Sequence, residues 1–248
     1  MLFIYLLSIT VLIFIYFEII HLTKPKSPLR LIPKDWQVSF KPGSLKANGY
    51  IEVHNRHKRM EVMIPSFKIN PTLLSNRFVD NSKVNIKIIP EHPDINCRKD
   101  DYWEAYIVKS KKSTRINIEL SFPNLDDDIS ENDLESLWIN VIWSNYGPFG
   151  KTKQYNGFVV PISKPRIPNI QNKAYYLNKK ILLIPIKTHI LGMLDNPYDV
   201  ISNYCSEIIQ PGDILAIGET PLAIMQGRYV IPNSIKLSPL AKLLCRNF

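Results

Sequence analysis

Three patterns of apolar and polar positions follow one another along the chain. The first is a single run: MLFIYLLSITVLIFIYFEII is apolar for seventeen residues apart from Ser8 and Thr10, and meets its first charge at Glu18. A helix of that length rises about 30 Å, the thickness of a bilayer's hydrocarbon core, so the run predicts an N-terminal transmembrane helix over residues 1–21. No Lys or Arg precedes it and no small-x-small site follows in His21-Leu22-Thr23-Lys24, which argues for a retained anchor over a cleaved signal peptide. Pro25, Pro28, Pro33 and Pro42 then punctuate residues 22–48, which read as a basic, extended stalk.

The second pattern has period two and occupies residues 49–163. YIEVHN, MEVMIP, KVNIKII, YWEAYIV, TRINIELSF, LWINVIWSNY and YNGFVVPI are separated by clusters of Asn, Asp, Pro and Gly. Short alternating strands with such punctuation predict an antiparallel β-sandwich. In TRINIELSF, Ile116, Ile118, Leu120 and Phe122 fall on one face, opposite Arg115, Asn117, Glu119 and Ser121. Leu137 to Tyr146 is apolar on both faces and reads as a central strand.

Residues 164–180, rich in Pro and Asn, read as a linker, and residues 181–248 carry a mixed pattern. An apolar strand is expected at Ile181 to Ile186. A helix should follow, capped by Asn196 with Pro197 in its first position and Asp199 at its third, its stripe running through Val200, Ile201, Tyr204, Cys205, Ile208 and Ile209. Pro211 and Gly212 end it, Asp213 leads into a strand at Ile214 to Ile217, Gly218 leaves that strand, Thr220 and Pro221 read as a helix start, and Gly227 suits the left-handed position before Arg228. A strand passing through a Gly-containing turn to a helix is one way of presenting backbone N–H groups to phosphate, although neither GxxxxGK[ST] nor GxGxxG is present.

Charge refines this outline. With 31 Lys and Arg against 22 Asp and Glu the formal charge is +9. The bases are scattered, and the richest cluster (Lys24, Lys26, Arg30, Lys34, Lys41, Lys46, against Asp35 alone) lies just past the apolar run. The positive-inside rule then places the body on the cytoplasmic or stromal side of a single-pass protein whose first partner is membrane lipid. No zinc-finger spacing or reading helix appears, so no nucleic-acid partner is expected. Cys97, Cys205 and Cys245 are too few for a disulfide framework, and Cys205 reads as packing. Neither Glu91 to Asp101 nor the acidic run Asp126 to Glu135 has a metal-ligand spacing, so both read as solvated, the second with a short helix near Ser130. His54, His57 and His189 have no acid or nucleophile in sequence reach and read as structural or surface residues.

The segment from IPIKTHIL at Ile184 to Leu191 through GDILAIGETPLAIMQGR at Gly212 to Arg228 resembles the start of the coenzyme F420-0:L-glutamate ligase family. The layout is similar to the membrane-anchored type of cyanobacteria and plastid-bearing lineages, in which a β-rich segment precedes the ligase domain. The resemblance implies a partial α/β ligase-like domain at residues 181–248. It also implies GTP with Mn²⁺ or Mg²⁺ as cofactors, and a small carboxylate substrate and glutamate as the groups joined. Gly212, Asp213, Gly218, Thr220 and Arg228 become the expected cofactor-side residues, with Arg228 meeting phosphate or carboxylate. Thr220 stands where relatives commonly carry Lys, so a hydroxyl replaces a charge there. The resemblance stops short of the family's metal-binding carboxylates, which would lie downstream, and it assigns no catalytic or metal residue here. A chain representing only part of the ligase is one expectation. A noncatalytic, membrane-tethered sandwich scaffold with a vestigial ligase segment is the other.

Overall fold

The computed structural model describes residues 2–23, 27–81, 83–94, 103–126, 128–147, 150–162, 175–178 and 181–230. Most of the linker expected at 164–180, as well as Cys97 and Cys245, lies outside these. Helix α1 runs Leu2–Thr23. Among the described residues, no helix is long and apolar enough to cross a membrane.

Eight strands then form two four-stranded antiparallel sheets. They are β1 (Leu29–Lys41), β2 (Ser44–Asn55), β3 (Val62–Ser75), β4 (Asn85–Glu91), β5 (Tyr106–Val108), β6 (Ser113–Pro123), β7 (Leu134–Gly147) and β8 (Gly150–Pro161). One sheet has the order β1-β2-β6-β4 and the other β5-β3-β7-β8. All seven expected strands are present. Ile116, Ile118, Leu120 and Phe122 of β6 are buried, facing a core that includes Leu137, Ile139, Val141 and Trp143 of β7. Burial of each such side chain is worth about 1.5–3 kcal/mol. Strand β7 is paired on both sides, to β3 and β8, as its two apolar faces require.

The stalk expected at residues 22–48 is corrected: Leu29 to Lys41 is strand, paired to β2 from Leu29↔Asn55 to Lys41↔Ser44. Two features disguise it. The register shifts between Lys34 and Gln37, where Asp35 has φ 52°, and this bulge changes the parity of the strand. Leu29, Leu31 and Pro33 are buried before it, whereas Trp36, Val38 and Phe40 pack on the core after it. In addition, β1 is an edge strand, where a proline such as Pro33 is tolerated. Pro90 sits in the opposite edge strand, β4, and Pro65 falls at the break in register between Met63 and Ser66 of β3.

Strands β2 and β3, consecutive in sequence, lie in different sheets, and Asn55 pins the crossing. Its buried amide nitrogen donates to Met60 O (2.9 Å) and Val108 O (3.0 Å), while its amide oxygen accepts from His57 N (3.0 Å). The acidic run contains a short 3₁₀ turn at Glu131–Asp133, with Ser130 Oγ and N both donating to Asp133.

Beyond the sandwich, β9 (Tyr175–Asn178) and β10 (Ile181–Leu183) form a hairpin. Helix α2 (Pro197–Cys205) has its expected cap, with Asn196 Oδ1 accepting from Tyr198 N at 2.9 Å. Helix α3 spans Glu219–Met225. The strand expected at Ile214 to Ile217 does not form: no strand pairs with it among the described residues, and Ile214 is 95% exposed.

Candidate functional site

The C-terminal segment docks on β8. Gly192 is buried so closely there that a Cβ would stand 3.1 Å from Val159 O. Three side chains join the segment to α2. His189 Nδ1 lies 2.6 Å from the Tyr204 hydroxyl, His189 Nε2 lies 3.0 Å from Asp195 Oδ1, and Asp195 Oδ2 accepts from Gly192 N at 2.7 Å. The expectation that His189 lacks an acid is therefore wrong. Its partners stand six and fifteen positions away, separations that no helical or strand period predicts. The side chains of His189 and Asp195 are nearly closed to solvent, and burial raises the Tyr204 hydroxyl above its ordinary pKa, so the trio acts as a clamp. Cys205 is buried and its thiol is likewise raised by burial, which keeps it protonated and inert.

The expected cofactor-side residues separate. Gly212, with φ 98°, and Asp213 close a turn in which Asp213 Oδ2 accepts from Gln210 N at 2.8 Å. Gly218, rather than Thr220, is the N-cap of α3, because the helix begins two residues earlier than a Thr220 cap would place it. Gly227, at φ 65°, closes α3 in a Schellman motif, with Arg228 N donating to Ala223 O (2.8 Å) and Gly227 N to Ile224 O (2.9 Å). Arg228, just past that turn, lines a cleft whose lining includes none of the other four.

The cleft, about 850 Å³, lies along the open side of the sandwich between edge strands β1 and β8 and is closed by Met193 and residues 226–229. Arg30 from β1, Arg56 from the β2–β3 crossing and Arg228 line it, together with His57, Asn156 and Gln226. Arg56 is held by its backbone N–H, which donates to Pro28 O at 3.0 Å. A Cβ at Gly227 would lie 3.8 Å from the Arg30 guanidinium, so Arg30 reaches the residue next to Arg228. Sequence reading found Arg228 but missed Arg30 and Arg56, which only the sandwich brings beside it.

His92 also departs from expectation. In place of a solvated loop, it is buried and stacked on Tyr106 at 3.9 Å, with Nδ1 at 2.7 Å from Thr114 Oγ1; desolvation pushes its pKa down to about 4. His54 and His57 are structural: His54 Nδ1 meets Ser113 Oγ at 2.9 Å, and His57 Nδ1 accepts from Arg59 N and Met60 N. Among the described residues, no group of three or more His, Cys, Asp or Glu side chains could hold a metal ion.

Comparison with known proteins locates the likeness on the sandwich instead of the C-terminal segment. No curated protein matches the chain. Among solved structures, the GAE domain of GGA2p from Saccharomyces cerevisiae is similar at 8% identity and a TM-score of 0.28, covering 54% of this chain and 99% of that one, a likeness too weak to carry an argument. A family described as F420-0:gamma-glutamyl ligase, N-terminal Ig-like domain, matches residues 30–164, from the second residue of β1 to just beyond β8. The match specifies neither an anchor nor a lineage. Because it covers more than half of the chain and coincides with the two packed sheets, the protein belongs to the family of the N-terminal Ig-like domain of F420-0:gamma-glutamyl ligase.

Proposed function

We propose that this chain is a membrane-anchored, F420-0:gamma-glutamyl ligase-like protein acting in nucleotide-dependent amide-bond formation, in which the Ig-like sandwich carries the ligase segment. The observation that supports it best is the family match over residues 30–164, followed in the chain by the capped GDILAIGETPLAIMQGR segment. In this reading Arg228 meets a phosphate or substrate carboxylate, and Gly212, Asp213, Gly218 and Thr220 shape the loop on the nucleotide side. These residues contribute orientation only; a divalent metal would supply charge neutralisation at the phosphates, and the described residues offer no ligand set for it. Equilibrium titration of the full chain with GTP and Mn²⁺ tests the reading. Saturable binding weakened about tenfold by Arg228→Ala is expected, from the loss of one charge-assisted contact, and no binding would overturn the nucleotide part.

No helix among the described residues meets the length and apolarity of a span, so the anchor rests on the amino-acid sequence alone: Glu18 is the only Asp, Glu, Lys or Arg in the 22 residues of α1. Its exposed side chains include the successive Leu6, Leu7, Ile9, Val11, Leu12 and Ile13, which cover every side of a helix turning about 100° per residue. Such a helix has no polar face to offer water. The bases after it favour a body on the cytoplasmic or stromal side. Retention of the full chain in the membrane pellet after alkaline carbonate is the expected result; release into the supernatant would remove the anchor.

The scaffold reading is favoured by one observation: the Asp213 carboxylate is already engaged by Gln210 N, and Thr220 lies within α3 instead of at its cap. An unchanged GTP titration in Arg228→Ala would support it.

A further inference from the structure

We infer that the cleft between β1, β8 and residues 226–229 is a binding site for a phosphate group, held by Arg30, Arg56 and Arg228. The inference shares Arg228 with the ligase reading but stands on the two sandwich arginines, which that reading does not use.

Charge is the first argument. Three guanidiniums line one cleft, and no Asp or Glu is among its lining residues. None of the three forms an ion pair among the described residues, whereas Arg77 and Arg115 elsewhere on the sandwich pair with Asp133 and Glu91. Of the acids near them in sequence, Glu52 is already paired with Lys34, and none of Glu52, Asp35, Glu61 and Glu219 lines the cleft. Like charges gathered without a counterion repel one another, and a polyanion removes that cost.

Hydrogen-bond polarity is the second argument. His57 Nδ1 accepts from two backbone N–H groups, at 2.8 Å from Met60 and 3.1 Å from Arg59, so the neutral ring must carry its proton on Nε2. Asn156 Oδ1 accepts from Trp143 Nε1 at 2.7 Å, which leaves the amide N–H groups of Asn156 as what it can offer the cleft. His57 and Asn156, beside the arginines, are thus set as donors. A donor-rich wall with three guanidiniums fits the several oxygens and multiple charge of a phosphate better than a carboxylate, which one arginine satisfies bidentately.

Two sources could bring that chemistry. Ser27, at the rim, stands four positions beyond the end of α1 at Thr23, a reach of at most about 14 Å of extended chain. If α1 is in a bilayer, lipid phosphates lie within that range; this source rests on the anchor reading. A soluble phosphate compound is the other.

The test uses the full chain in neutral detergent micelles, titrated calorimetrically with pyrophosphate in the absence of metal. Saturable binding is expected, weakened about tenfold or more in Arg56→Gln and in Arg30→Gln and unchanged in Lys87→Gln, which lies on β4, the opposite edge strand of the β1 sheet, and pairs with Glu119. Thermal melts of the variants matching the parent establish that they fold. Repeating the titration in micelles containing phosphatidic acid separates the sources: abolished pyrophosphate binding identifies the lipid headgroup as the occupant, and undiminished binding identifies a soluble phosphate. Absence of pyrophosphate binding in neutral micelles, or equal weakening by Lys87→Gln and Arg56→Gln, would overturn the site. A chain that binds pyrophosphate but not GTP with Mn²⁺ keeps this inference and loses the ligase reading.

Discussion

Strand β6 and the segment Asp213 to Ile217 are written in similar apolar residues but meet different fates. In β6, Ile116 and Ile118 are fully buried between β2 and β4, whereas Ile214 is 95% exposed and Leu215 and Ile217 are about 40% exposed without a pairing strand among the described residues. An extended backbone gains nothing from its own N–H and C=O groups until a neighbour pairs with them. Apolar alternation therefore records what a strand can bury, while the partner decides whether it is a strand at all. The C-terminal segment is held by other means: the His189 clamp, the Asn196 cap and the Schellman turn at Gly227.

The largest expected effect lies in the sandwich. Ile139→Ala, at a fully buried position of β7, should cost about 2–5 kcal/mol in urea denaturation; a cost below 1 would mean that the two sheets do not pack as described.

Next comes pH. His92 titrates at about 4 in the folded chain against about 6.5 when unfolded, so the unfolded state takes up its proton first as pH falls. Stability is complete above about pH 6.5 and is lost toward pH 4, by roughly 2 kcal/mol between pH 7 and pH 5. His92→Gln should flatten that slope, and an unchanged slope would assign the acid sensitivity to other groups.

A smaller, local effect is expected in the C-terminal segment. Tyr204→Phe removes one partner of His189, and amide exchange over residues 189–205 should accelerate by about 1 kcal/mol of opening free energy while sandwich amides keep their protection. Equal acceleration in both would make segment and sandwich one cooperative unit. The smallest effect closes the comparison: Ile214→Ser, at an exposed position, should alter stability by less than about 0.5 kcal/mol, and a larger loss would reveal a packing role for that segment.

The sequence alone determined the seven strands from Tyr50 onward, the inward face of β6, the interior place of β7, the cap at Asn196 and the left-handed turn at Gly227. Each is written in the period of neighbouring side chains or in the backbone preference of one residue, and both act locally. Tertiary structure decided the rest. Edge strand β1 was hidden because its bulge at Asp35 reverses which parity faces the core, and only pairing to β2 shows that both halves point inward. His189 found Asp195 and Tyr204, and Arg228 found Arg30 and Arg56, across separations that chain folding sets and no local period encodes. A charge can be counted along a chain, but whether three of them share one cleft depends on which edges of two sheets lie side by side.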